Sequence, residues 1–153
     1  EIIPVLKDTE KNLKLLADSW RMAQEIDKAI PVLEKAAKIS KDGDTYVLLG
    51  NLYLFEDRMK DSIRAIEAGL KKPKVKSRSQ AQLVLGQAHF ELQNFEEAKK
   101  QFRAAARDKN KRIKKTANSW IKYAENEEIR VKNLALRRDF IQQSRAKAKE
   151  KNS

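Results

Sequence analysis

No cysteine occurs among the 153 residues, so the chain has neither a disulfide framework nor thiolate ligands for a metal. That absence fits a reducing cytoplasm and an oxidising periplasm equally. Glycine and proline are scarce, four and three residues, and strand signals are close to absent. No apolar run approaches the roughly 18 residues that a membrane-spanning helix needs, and the N-terminus carries no signal-peptide pattern. The four glycines, at 43, 50, 69 and 86, lie too far apart for a phosphate-cradling loop. One histidine, His89, is present, and no partner motif for metal binding or proton transfer accompanies it.

The residues that are abundant describe an ordered helical chain. Apolar residues make up 41% and charged residues 37%, with Ala, Leu, Lys, Glu, Arg and Gln prominent, all of which lose little side-chain freedom in a helix. The net charge of +12 is unevenly placed. Residues 107–153 hold fifteen Lys or Arg against six Asp or Glu, which leaves a net of only +3 for the first 106. The chain opens at Glu1 on an apolar stub, Ile2-Ile3-Pro4-Val5, and residues 1–9 read as the remnant of a preceding unit in a longer protein.

A five-residue ladder occurs three times with the same internal spacing. Its rungs are Ala17, Trp20, Ala29, Leu33 and Ala36; then Gly50, Tyr53, Ser62, Ile66 and Gly69; then Gly86, His89, Ala98, Phe102 and Ala105. Small, large, small, large, small is a steric code that lets two antiparallel helices nest and stack on the next pair. The ladders stand 33 and 36 residues apart, a period that marks a helical solenoid. Three units follow, at about 10–42, 43–78 and 79–113, each a helix, a tight turn and a second helix. The turns Gln24–Asp27, Asp57–Lys60 and Gln93–Glu96 each carry one apolar residue (Ile26, Met59, Phe95), expected to staple the turn to its helix pair. Ser40-Lys41-Asp42-Gly43-Asp44 reads as a glycine stop followed by an aspartate start. From Lys114 to about Ala148 a single long helix is expected, with Ala117, Trp120, Ile121, Ala124, Val131 and Leu134 on its apolar side. Residues 114–153 would then cap the array and end in a basic tail.

The ladder resembles the tetratricopeptide repeat family, most closely at Leu85-Gly86-Gln87-Ala88-His89-Phe90 with Phe95-Glu96-Glu97-Ala98 and Phe102. The resemblance spans residues 10–110 and implies an all-α superhelix whose first helices line a concave groove. By ladder offset, the groove positions are Lys14, Asp18 and Arg21; Val47, Asn51 and Leu54; Leu83, Gln87 and Phe90. Such a face suits a partner helix or an extended peptide, with apolar side chains in pockets and the amides of Asn51 and Gln87 on its backbone. The carboxylate clamp of some family members is not expected, because only Lys14 matches it while Asp18, Leu48 and Val84 depart from it. The stretch Trp120-Ile121-Lys122-Tyr123-Ala124-Glu125-Asn126-Glu127 resembles the C-terminal end of tetratricopeptide proteins linked to bacterial TonB systems, which implies a periplasmic accessory of energy-coupled uptake.

Nothing points to catalysis. His89 occupies a rung held by Trp20 and Tyr53 elsewhere and reads as a packing residue. Adjacent pairs such as Glu96-Glu97 point about 100° apart on a helix and read as solvated faces. Ser62 is a rung without a base beside it. A non-enzymatic scaffold without metal or cofactor is therefore expected, with another protein or peptide as partner and self-association through exposed repeat ends as a further possibility. The alternative is a nucleic-acid or anionic-surface binding module that uses the basic patch Lys109, Lys111, Arg112, Lys114, Lys115, Arg137 and Arg138.

Overall fold

A computed structural model of the chain describes residues 7–151, so the apolar stub at 2–5 lies outside the described residues. Seven helices follow one another: α1 Glu10–Met22, α2 Ile26–Ile39, α3 Asp44–Phe55, α4 Met59–Leu70, α5 Arg78–Glu91, α6 Phe95–Ala105 and α7 Lys111–Lys151. No strand occurs among the described residues. Each helix packs on the next in sequence, the pattern of an all-α superhelix.

The rungs supply the interior. Ala17, Ala29, Leu33 and Ala36, then Ser62 and Ile66, then Ala98, Phe102 and Ala105, are all fully enclosed. Small rungs exist because large ones press on them. A Cβ on Gly50 would lie 2.5 Å from the Ile66 side chain, and one on Gly86 would lie 2.5 Å from the Phe102 ring. Ser62 is accepted in the interior because its hydroxyl donates to the Gly50 carbonyl at 2.7 Å, tying α4 to α3. The aromatic-type rung is less uniform: Tyr53 is buried, whereas Trp20 and His89 are half-buried.

All three intra-unit turns have one backbone solution. Gln24, Asp57 and Gln93 hold φ of 60°, 56° and 59°. The next residue in each donates its N–H back to the carbonyl of Trp20, Tyr53 or His89, while Gln24, Asp57 and Gln93 donate to Arg21, Leu54 and Phe90. This is a Schellman ending with a left-handed residue, and the residues that adopt it are not glycine. The stapling residues Ile26, Met59 and Phe95 are each the first residue of a second helix.

The joint between units one and two departs from the expected glycine stop. Gly43 has φ of −91°, so it is not needed for a left-handed turn. It is needed for contact: a Cβ there would sit 2.1 Å from the Gly69 carbonyl oxygen. Its N–H donates to the Lys74 carbonyl at 2.7 Å, and Asp44 accepts from the Lys76 N–H at 2.9 Å. The 71–77 loop is thus sewn to the start of α3.

α7 begins at Lys111, slightly before the expected Lys114, and spans about 61 Å at 1.5 Å per residue. Ala117 and Ala124 are buried, with Trp120, Ile121 and Val131 packed against the same cluster as Phe102. Leu134, expected on that apolar side, is instead 46% exposed. α6 has only 11 residues, and near Val131 and Lys132 α7 has already reached the Gln93–Glu97 start of that helix. From Lys132 onward every described residue is exposed.

Candidate functional site

The first helices form a wall. α3 approaches α5 and α5 approaches α7, whereas among the described residues α1 approaches α2 alone. The nine residues chosen by ladder offset lie on α1, α3 and α5. Lys14 is half-buried and ion-paired to Glu10 at 2.5 Å, and Glu10 also accepts from the Ser40 hydroxyl at 2.8 Å. Asp18 and Arg21 are exposed and paired with each other at 2.6 Å. Val47 and Leu54 are half-buried against the Ile66, Val84 and Leu85 cluster. The Asn51 side-chain N–H donates to the Val47 carbonyl one turn earlier at 2.9 Å, so half of its donor capacity is already in use. Gln87 is half-buried.

Leu83 and Phe90 differ from the expectation. They retain only 4% and 9% exposure and belong to the cluster that holds α7. Phe90 stacks on Tyr123 at 5.0 Å between ring centroids and meets Trp120 edge-on at 5.6 Å, while Trp120 stacks on Phe102 at 5.4 Å. Aromatic pairs in these geometries add about 0.5–1.5 kcal/mol each beyond area burial. Leu83 and Phe90 therefore lie beneath α7 and keep little solvent-facing surface.

What replaces them comes from α7. Ala117, Trp120, Ile121 and Ala124 stand 36 residues after Ala81, Val84, Leu85 and Ala88 and, like them, pack inward. On that register Ser119 and Tyr123 are the counterparts of Leu83 and Gln87. Lys122 and Glu125 stand where Gly86 and His89 stand, and both are exposed. α7 is thus a first helix without a second, its outer side finished in polar residues. Lys115, Thr116, Ser119, Trp120 and Tyr123 line an open cavity of about 360 Å³, so a cation, hydroxyls and two aromatic rings share its wall. The 36-residue offset that joins the second and third ladders, carried once more along the chain, is the sequence signal that finds Ser119 and Tyr123.

Lys99 locks the same junction. Its ammonium, in a residue 6% exposed, lies 2.7 Å from Glu128 on α7 and 2.7 Å from Glu96 on its own helix. Glu128 and Glu96 together raise the lysine pKa above its usual value. In return Lys99, with Lys132, holds the Glu128 carboxyl below the ordinary range. Between units one and two, Tyr53 on α3 donates to Glu34 on α2 under the Arg58 guanidinium, which lies 4.5 Å from the ring centroid. Burial first, then Glu34, drives that phenol's pKa upward.

The seven basic-patch residues are all exposed, and none forms an ion pair among the described residues. Lys111, Arg112, Lys114 and Lys115 crowd the first turns of α7, where no acidic residue offsets them and the helix dipole disfavours positive charge. Burial lowers the His89 pKa against the pull of Glu97 and Glu67, and its Nδ1 is enclosed without a partner. No group of three or more potential metal-ligating side chains occurs among the described residues. No described helix is long and apolar enough to cross a membrane.

Residues 79–107 match the family model of the tetratricopeptide repeat. No curated protein sequence matches the chain. Among solved structures the chain is similar to the Arabidopsis OM64 TPR domain, at 19% identity and a TM-score of 0.65, over 77% of this chain and 95% of that one. The fold is an all-α tetratricopeptide superhelix closed by a long C-terminal helix. Repeats of this kind generally mediate protein–protein interaction, and the fold is typically a non-enzymatic scaffold.

Proposed function

We propose that the chain is a binding scaffold whose ligand, an extended peptide or a partner helix, lies along α3, α5 and α7. One observation carries this reading. The wall of first helices ends in an open cavity of about 360 Å³ whose rings, Trp120 and Tyr123, are held in place by Phe90 and Phe102. Rigid aromatic anchors beside adaptable polar groups are the usual makings of an interaction hot spot. A large apolar side chain suits the rings, an acidic group suits Lys115, and the half-buried amides of Asn51 and Gln87 suit a peptide backbone. Of the nine offset positions, Val47, Asn51 and Leu54 on α3 and Gln87 on α5 remain in this reading. The resemblance of residues 120–127 to TonB-linked proteins suggests the setting, an accessory of energy-coupled uptake in the periplasm.

The test is a peptide selected against the whole chain from a displayed library and then titrated against variants. Tyr123→Ala is expected to weaken it about tenfold or more and Gln87→Ala by a smaller factor. Affinity that both variants leave unchanged would exclude this wall. A second reading, an anionic macromolecule held by the basic patch, is favoured by the seven exposed and unpaired cations. It requires binding that falls steeply with salt and is lost in Arg137→Glu, Arg138→Glu.

A further inference from the structure

Two features of the molecule that the peptide reading leaves aside complement each other. One is a cleft between α1 and α3, the helices whose backbones do not meet. Asp18, Arg21, Met22, Ile26, Leu52 and Phe55 line a cavity of about 480 Å³ there. An adjoining cavity of about 390 Å³ shares Arg21, Ile26 and Phe55 and adds Glu25, Asp27 and Glu56. Met22 is 89% and Phe55 76% exposed, unusual for side chains of that size. In a chain of net charge +12, this cleft carries four carboxylates, of which Asp18 and Glu25 are paired with Arg21 and Lys28 while Asp27 and Glu56 remain to give the rim its acidic character.

The other feature is the part of α7 beyond Val131. Residues 132–151 are exposed throughout and hold seven Lys or Arg against two acidic residues. Leu134, Leu136, Phe140 and Ile141 are between 46% and 71% exposed on it. At about 100° per residue, Leu134 and Ile141 share one stripe while Leu136 and Phe140 share another on roughly the opposite side.

We propose that this projecting arm docks into the α1/α3 cleft of a second copy of the chain. The arm is cationic with apolar teeth, and the cleft is apolar with an acidic rim. Two arms side by side would oppose like charges, which disfavours an arm-to-arm pair. A lipid surface uses one apolar face, and a nucleic acid would leave Leu136, Phe140 and Ile141 without partners, whereas a cleft grips a rod from both sides. Among the described residues α7 approaches only α5 and α6 of its own array, so its arm is presented outward. The contact is heterologous, head to tail, and propagates into rings or open chains. It stands apart from the peptide reading, whose decisive residues lie on α5 and α7.

The test is sedimentation of the full chain over a concentration series at low salt. Reversible association that weakens with salt is expected. Phe55→Glu disables the cleft, and Phe140→Glu with Arg137→Glu disables the arm. Each is expected to weaken self-association about tenfold or more. All these side chains are exposed, so circular dichroism should be unchanged. Mixing the two variants leaves one intact arm and one intact cleft, and only a head-to-tail contact restores a dimer that grows no further. Tyr123→Ala should have no effect here. A chain that stays monomeric, association that survives Phe55→Glu, a mixture that stays monomeric, or assembly seen only with added RNA or anionic vesicles would each overturn the proposal.

Discussion

The two ends of the array are built from one ladder but closed in different ways. At the C-terminal end α6 is covered by α7, through Phe102 stacked on Trp120 and through Lys99 reaching Glu128. At the N-terminal end α1 leans on α2 alone among the described residues, with Leu15 58% and Leu16 45% exposed. In a stack whose stability is a sum of unit terms and neighbour terms, a unit with neighbours on both sides opens last. The repeated code sets how each pair packs, and the neighbours set how firmly.

The largest test of that difference is a pair of cavity variants. Phe102→Ala is expected to cost about 3–5 kcal/mol in denaturant unfolding, and Leu13→Ala on α1 about 2 kcal/mol. Equal costs would remove the contrast. Next comes the joint between units one and two, where Gly43→Ala must force two backbones apart. A loss of about 1–3 kcal/mol is expected, with hydrogen exchange quickening in α1 and α2 before α5 and α6.

The ion-pair lock gives a test by acid. Because Lys99 and Lys132 hold the folded-state pKa of Glu128 below its ordinary value of 4.5, its contribution is complete above that value. It is lost as the pH falls through the depressed one. Trp120 fluorescence in a Trp20→Phe background should report α7 loosening in that acidic window, and Glu128→Gln should abolish that component. Lys99→Ala, which leaves Glu128 only the exposed Lys132 as a partner, is expected to lower the thermal midpoint at neutral pH. The smallest effect has the opposite sign. Gln93→Gly and Gln24→Gly should each stabilise by roughly 0.5–1 kcal/mol by relieving the left-handed backbone, and Asp57→Gly by less, since aspartate tolerates that conformation better. Thermal unfolding would measure all three.

Much of the fold is legible in the sequence because close packing leaves few choices of side-chain size. Gly50 opposite Ile66 and Gly86 opposite Phe102 are steric necessities, and they recur at the same offset. The left-handed turns are less legible, because glutamine and aspartate do not announce a positive φ as glycine does. The wall of first helices is legible in its positions and not in its exposure. Offsets assign Leu83 and Phe90 to it, but whether they meet solvent depends on Trp120 and Tyr123, which arrive some thirty residues later. Leu134 shows the reverse case. Helical spacing puts it on the packed stripe, yet the stripe needs a partner, and the 11 residues of α6 end too soon to supply one.

That mismatch in helix length makes α7 a lever. Its packed half, Lys111–Val131, is the seated arm, with Ala117 and Ala124 buried against the array. The remaining 20 residues are a projecting arm of about 30 Å. A helix is stiff along its axis, so a change of seating angle of about 10° would swing the far end by about 5 Å. Exchanging one small buried residue, Ala124, would therefore re-aim Phe140 without touching it, and the reach of the molecule would be set at a position that no ligand meets.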